Sequence, residues 1–166
     1  LYFDETNTRM VMNYRNNYSR LAENLFVKGD TTRALEVIDR CLDEFPREVV
    51  NLTYFTIPII DLYYKSEEYE KGDKLLATMI DDYFKEYYYL SDFDRGSGLK
   101  QNLNIATQVL GSLTRVMQIH NRGNSSFNYF EEDNVYYRSN DTSDKEEIDY
   151  STFRINTFLD EFYALQ

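Results

Sequence analysis

Apolar residues recur along most of this chain at the spacing of one helix face. Between Thr8 and Lys28 the positions Met10, Tyr14, Tyr18, Leu21 and Leu25 follow one another at steps of 4, 4, 3 and 4. That spacing predicts one stripe on an α-helix. Gly29 ends the helix and Asp30 offers an oxygen to cap the next one. A second helix is predicted over about Thr31–Glu44, with Ala34, Leu35, Ile38, Cys41, Leu42 and Phe45 on its inner side and Pro46 as its stop. A third apolar segment, Leu52 to Tyr64, contains Pro58. Proline costs little only in a first helical turn, so this helix either begins near Thr56 or kinks there. A fourth helix is predicted over Tyr69–Tyr88, on Leu75, Leu76, Met79, Ile80, Tyr83 and Phe84. A fifth is predicted over Leu99–Ile119, on Leu103, Ala106, Leu110, Leu113 and Met117, after a loop over Ser91–Gly98. Asn121 to Asp144 is rich in Asn, Ser and Asp and shows no period, so it reads as a long loop. A last helix is expected over Lys145–Leu165, carrying Ile148, Ile155, Phe158, Leu159 and Phe162.

The first two predicted helices carry a finer pattern. From Tyr18 come Leu21-Ala22, Leu25, Gly29-Asp30, Ala34, Ile38, Cys41 and Pro46, at offsets that resemble the 34-residue tetratricopeptide repeat. Small residues at Ala22, Ala34 and Cys41 fall where two helices of a pair would approach closely. The third and fourth helices repeat the pattern loosely, Tyr69-Glu70-Lys71-Gly72 aligning with Thr31-Thr32-Arg33-Ala34 at a spacing of 38. The expected fold is therefore all-α: a single tetratricopeptide-like helical repeat domain over 1–166, with about six helices in three antiparallel pairs. Repeat one covers about 15–48 and repeat two about 53–88. A degenerate third pair, 99–120 and 145–165, is split by the 121–144 loop.

A narrower resemblance rests on Asn13-Tyr-Arg-Asn-Asn-Tyr-Ser-Arg-Leu-Ala22, Ala34-Leu-Glu-Val-Ile-Asp-Arg-Cys41, and Tyr54-Phe-Thr-Ile-Pro-Ile59 with Tyr63-Tyr64-Lys65. Over about Leu1–Leu113 the chain resembles the C-terminal soluble region of a bacterial family of multi-span membrane proteins. That family is similar to protein O-mannosyltransferases and is of unknown function. The resemblance implies an extracytoplasmic, periplasmic tail of a longer chain whose membrane part carries the glycosyltransferase-like chemistry. None of the family's presumed catalytic residues falls in this stretch. A start at Leu1 rather than Met agrees with a processed chain or a fragment.

Composition narrows the chemistry. Eighteen basic against 29 acidic residues give a net charge of −11, which disfavours nucleic-acid phosphates and anionic lipid heads as partners. No stretch is long and apolar enough to cross a membrane. A single cysteine, Cys41, excludes an internal disulfide and any multi-cysteine metal site. It would need an activating base to act as a nucleophile, and a core role is the plainer reading. The only histidine, His120, ends the fifth predicted helix, where a cation suits the helix dipole. Asp92-Phe-Asp94-Arg-Gly96 starts like a calcium loop, but Leu103 stands where the bidentate glutamate is needed. Phosphate-loop, zinc-protease and nucleophile-elbow motifs are absent. No catalytic residue, metal or cofactor is predicted.

Aromatic content points elsewhere. Sixteen tyrosines and eleven phenylalanines accompany no tryptophan, and adjacent tyrosines on a helix cannot all be buried. In a tetratricopeptide stack the inner helices line a concave face. Here that face would present Asn16, Ser19 and Glu23, then Tyr54, Ile57, Asp61, Tyr64 and Lys65. Ser19 and Glu23 occupy places where Lys and Asn would clamp a peptide carboxylate, so acidic C-termini are not the expected ligand. The expected function is a non-catalytic protein-interaction module for a protein or peptide, neutral or basic in character. The alternative is an accessory domain presenting a glycan acceptor or sugar substrate to a membrane-embedded glycosyltransferase.

Overall fold

The computed structural model describes residues 5–91, 97–123, 128–139 and 145–164. They form six α-helices and three short strands: α1 Glu5–Val27, α2 Thr31–Glu44, α3 Ile57–Lys65, α4 Tyr69–Ser91, α5 Ser97–Ile119, β1 Asn128–Glu132, β2 Val135–Ser139, β3 Glu146–Ile148 and α6 Tyr150–Tyr163. The chain falls into two compact units, residues 1–72 and 73–166.

In the first unit, α1 ends where Gly29 takes a φ of +83°. The amide of Asp30 then donates to the Leu25 carbonyl and that of Gly29 to the Phe26 carbonyl, both at 2.9 Å. These two bonds make a Schellman turn, open to glycine because it has no Cβ to clash. Asp30 caps α2, accepting from the Arg33 amide at 3.2 Å. Pro58 lies in the first turn of α3, behind a single 3₁₀ turn at Tyr54–Thr56. Of the two options left open for that proline, the helix start holds. α3 closes with the same device as α1. The Glu68 amide reaches the Tyr63 carbonyl at 2.9 Å and the Glu67 amide the Tyr64 carbonyl at 3.1 Å, with Glu67 at φ +62°.

The second unit has a core on Leu76, Met79 and Ile80 of α4, Ala106, Leu110, Leu113 and Met117 of α5, and Ile155 and Phe158 of α6, all at most 2% exposed. A three-residue network ties α6 to α4. Arg154 donates from Nε to Asp81 at 2.7 Å and from Nη1 to Glu161 at 2.6 Å. Its guanidinium lies 4.9 Å from the centroid of the Phe84 ring. The Tyr150 and Tyr88 hydroxyls donate to the same two carboxylates.

The chain is mostly helical, and in one region the helix-only expectation fails. Of the segment read as an aperiodic loop, residues 128–132 and 135–139 form an antiparallel hairpin, and Glu146–Ile148, expected in the last helix, adds a third strand in the order β1-β2-β3. Residues 124–127 and 140–144 of that loop lie outside the described residues, as does most of the predicted 91–98 loop. Asp133 and Asn134, with φ of +51° and +61°, supply the two-residue turn. The Tyr136 ring packs 4.7 Å from Phe153 and 5.1 Å from Tyr150, seating the sheet on α6. α6 itself starts at Tyr150, capped by Asp149, which accepts from the Thr152 amide at 3.0 Å.

Candidate interaction surface

α1 is turned differently from its apolar stripe. Its covered side packs against α2, the 3₁₀ turn and α3. Val11, Arg15, Ser19 and Ala22 are the residues buried there. Met10, Tyr14 and Leu21, three of the five stripe positions, are 48%, 48% and 51% exposed. At about 100° per residue, the buried sector is centred roughly 90° from the centre of the stripe. Tyr18 and Leu25 lie between the two sectors and are half-buried. The apolar sector of α1 is therefore wider than its neighbours cover. What remains is an open strip running from Met10 to Leu25, roughly 22 Å long at 1.5 Å per residue.

Aromatic and charged groups from α2 fix one edge of the strip. Tyr14 stacks on Phe45 with centroids 5.8 Å apart, and Tyr18 meets the same ring edge-on at 6.3 Å. The Tyr18 hydroxyl donates to Glu44 at 2.6 Å and Arg40 donates to Glu44 at 2.7 Å. The Tyr18 hydroxyl, then Arg40, hold the Glu44 carboxyl below its ordinary range. The other edge carries the exposed amides of Asn13, Asn17 and Asn24.

Beneath the strip a cation is fully buried. The Arg15 guanidinium donates to the carbonyls of Asn51 at 2.6 Å and of Phe45 and Val50 at 2.7 Å each. No carboxylate neutralises it. Its counter-charge is the carbonyl end of α2, where the helix dipole is negative, with the two turns that follow. It pins the segment between α2 and α3 to α1 and so holds Phe45 under Tyr14. Sequence reasoning missed this residue, because an arginine among polar neighbours reads as solvated.

The residues predicted to line a concave face fare unevenly. Glu23 and Tyr54 are exposed, Tyr54 at 58%. Asn16 and Asp61 are half-buried, and Asp61 is paired with Lys65 at 2.5 Å, one turn on. Ser19, Ile57 and Tyr64 are buried at 6%, 9% and 3% exposure, so these three do not face an open surface. The physical reason for Tyr64 is Gly72: a Cβ there would lie 2.6 Å from Tyr64 Cε1, so the ring occupies the space a side chain would take.

The remaining candidates show little chemistry. Burial lifts the Cys41 thiol to about 11, opposed by the nearby charge of Arg15, which leaves it a packed thiol at neutral pH. His120 is half-buried at the end of α5. No group of three or more His, Cys, Asp or Glu among the described residues could hold a metal ion, and no described helix is long and apolar enough to cross a membrane. The suggestive Asp92–Gly96 run lies outside the described residues. No protein-family model, curated protein or solved structure matches the chain.

Proposed function

We propose that the chain is a non-catalytic protein-interaction module, built on tetratricopeptide-like helical hairpins. The observation that carries the reading is the open apolar strip on α1. An exposed, contiguous row of large apolar side chains on a helix, rimmed by polar groups, marks a contact surface. Helix-in-groove recognition uses the i, i+4, i+7 spacing of such a row.

The repeat part of the reading is supported by matching detail in the first two hairpins. Gly29 and Glu67 take the same left-handed position in the same turn, 38 residues apart. Ala34 and Gly72, also 38 apart, are buried one turn into the helix that follows. Ala22, Ala34 and Cys41, the small positions of repeat one, are all fully buried. The placement of the module as the periplasmic tail of a longer membrane protein rests on the sequence resemblance at Asn13–Ala22, Ala34–Cys41 and Tyr54–Lys65.

The test is photo-cross-linking in cells that make the native gene product. A photoreactive residue is placed at Leu21, and as a control at the exposed Glu36 of α2. A defined protein adduct at Leu21 and none at position 36 supports the reading. Equal labelling at both positions, or adducts only with glycan, overturns it.

A further inference from the structure

We infer that the strip on α1 docks a second copy of this chain, helix against helix, in antiparallel orientation about a two-fold axis near Asn17 and Tyr18. This rests on the reading of α1 as an interaction surface and names its occupant. The first argument is self-complementarity. An isologous contact must match a surface to itself. With the axis between Asn17 and Tyr18, Met10 of one copy faces Leu25 of the other, and Tyr14 faces Leu21. Each exposed apolar group then meets an apolar group, and the half-buried Tyr18 sits at the centre.

The second argument is charge. A strip made for a highly charged partner helix carries charges beside it, as the flanking positions of coiled coils do. This strip is flanked by amides. In the antiparallel arrangement the edge bearing Asn13, Asn17 and Asn24 runs along the same edge of the other copy, where side-chain amides serve as both donors and acceptors. On the opposite edge Glu44 is already satisfied by Arg40 and the Tyr18 hydroxyl. No like charges are forced together, although the chain as a whole carries −11. Long-range repulsion between two such chains opposes the dimer, and salt screens it.

A strip roughly 22 Å long and one helix face wide lies at or below the ~800 Å² per partner of standard interfaces, so the dimer is weak. Sedimentation equilibrium tests it directly on the 166-residue chain, from about 5 to about 500 µM. The average mass should rise from one chain toward two across that range, and rise further when salt goes from about 50 to about 500 mM. Leu21→Asp and Tyr14→Asp should hold the mass at one chain. Val27→Asp should behave as wild type, because Val27 is 79% exposed but lies off the strip. As a second arm, Asn17→Cys should join to itself through a short bis-maleimide, since the native Cys41 is buried. A single-chain mass at every concentration and salt, with no Asn17→Cys product, overturns the inference. So does a dimer that Leu21→Asp leaves intact, or one that salt dissociates. A monomer whose Leu21 cross-links a different protein in cells would overturn the second-copy assignment alone and leave the proposed function standing.

Discussion

Replacing Arg15 should cost the first unit more than any other single polar change. The guanidinium makes three short bonds, and only the one to the Val50 carbonyl is fully buried; those to Phe45 and Asn51 are partly open to water. In Arg15→Ala the two open carbonyls rehydrate at small cost, while the Val50 carbonyl is orphaned at about 1–3 kcal/mol. The lost packing of a fully buried side chain adds about 2 kcal/mol, for a total of about 3–5 kcal/mol. Arg15→Met keeps the stem and sheds the desolvated charge, so it should cost about 1–3 kcal/mol. Arg15→Lys keeps the charge but loses the planar fork that reaches three acceptors, and should fall in the same range. Urea unfolding at neutral pH, followed by circular dichroism, gives these values. Amide exchange at Val49 and Val50, which donate to the Pro46 carbonyl at 3.0 and 3.2 Å, should quicken in parallel. An alanine variant within about 1 kcal/mol of wild type would refute the reasoning. A methionine variant more stable than wild type would refute it too, by showing that burying the cation costs more than its three bonds return.

Three further predictions concern single positions. Gly72→Ala forces a methyl to 2.6 Å from the buried Tyr64 ring, so despite better helix propensity it should destabilise by about 1–2 kcal/mol in urea melts, and Tyr64→Ala in the same chain should erase that penalty. Glu67→Gly removes a side chain from a left-handed position and should raise stability by up to about 1 kcal/mol; a loss would show that the glutamate earns its place through contacts. For Cys41 the folded thiol titrates near 11, above its ordinary value of 9, so its contribution to stability is full below about pH 9 and falls away as pH rises toward 11. Wild type should therefore lose stability over that window relative to Cys41→Ala, and iodoacetamide at pH 8 should label Cys41 only after unfolding.

Helix ends were largely legible in the sequence because their signals are local. Asp30 as a cap, Glu44 as the last residue before Phe45-Pro46, and Pro58 as a first-turn residue all set boundaries through groups within four residues. The phase of α1 was not legible. Hydrophobicity ranks Met10, Tyr14 and Leu21 above Arg15 and Ser19, yet the latter pair is buried, and what makes Arg15 tolerable inside is three carbonyls from residues at least 30 positions away. The sheet was hidden by composition. Asn, Ser and Asp dominate the segment, although Asp133-Asn134 between aromatic runs is a hairpin signal in its own right. Among the predicted site residues, Tyr54 and Glu23 came out exposed, whereas Tyr64 and Ile57 turned inward because periodicity alone does not say which tyrosine meets a glycine on the next helix.

The most direct measurement is methyl NMR of the strip with a soluble paramagnetic agent, read on Met10, Leu21 and Val27. In the dilute chain all three methyls should be broadened by the agent. As the chain is concentrated, or the protein cross-linked at Leu21 is added, Met10 and Leu21 should lose that broadening while Val27 keeps it. Broadening that persists at Met10 and Leu21 in every assembled state would contradict the account, since the strip would then never be covered.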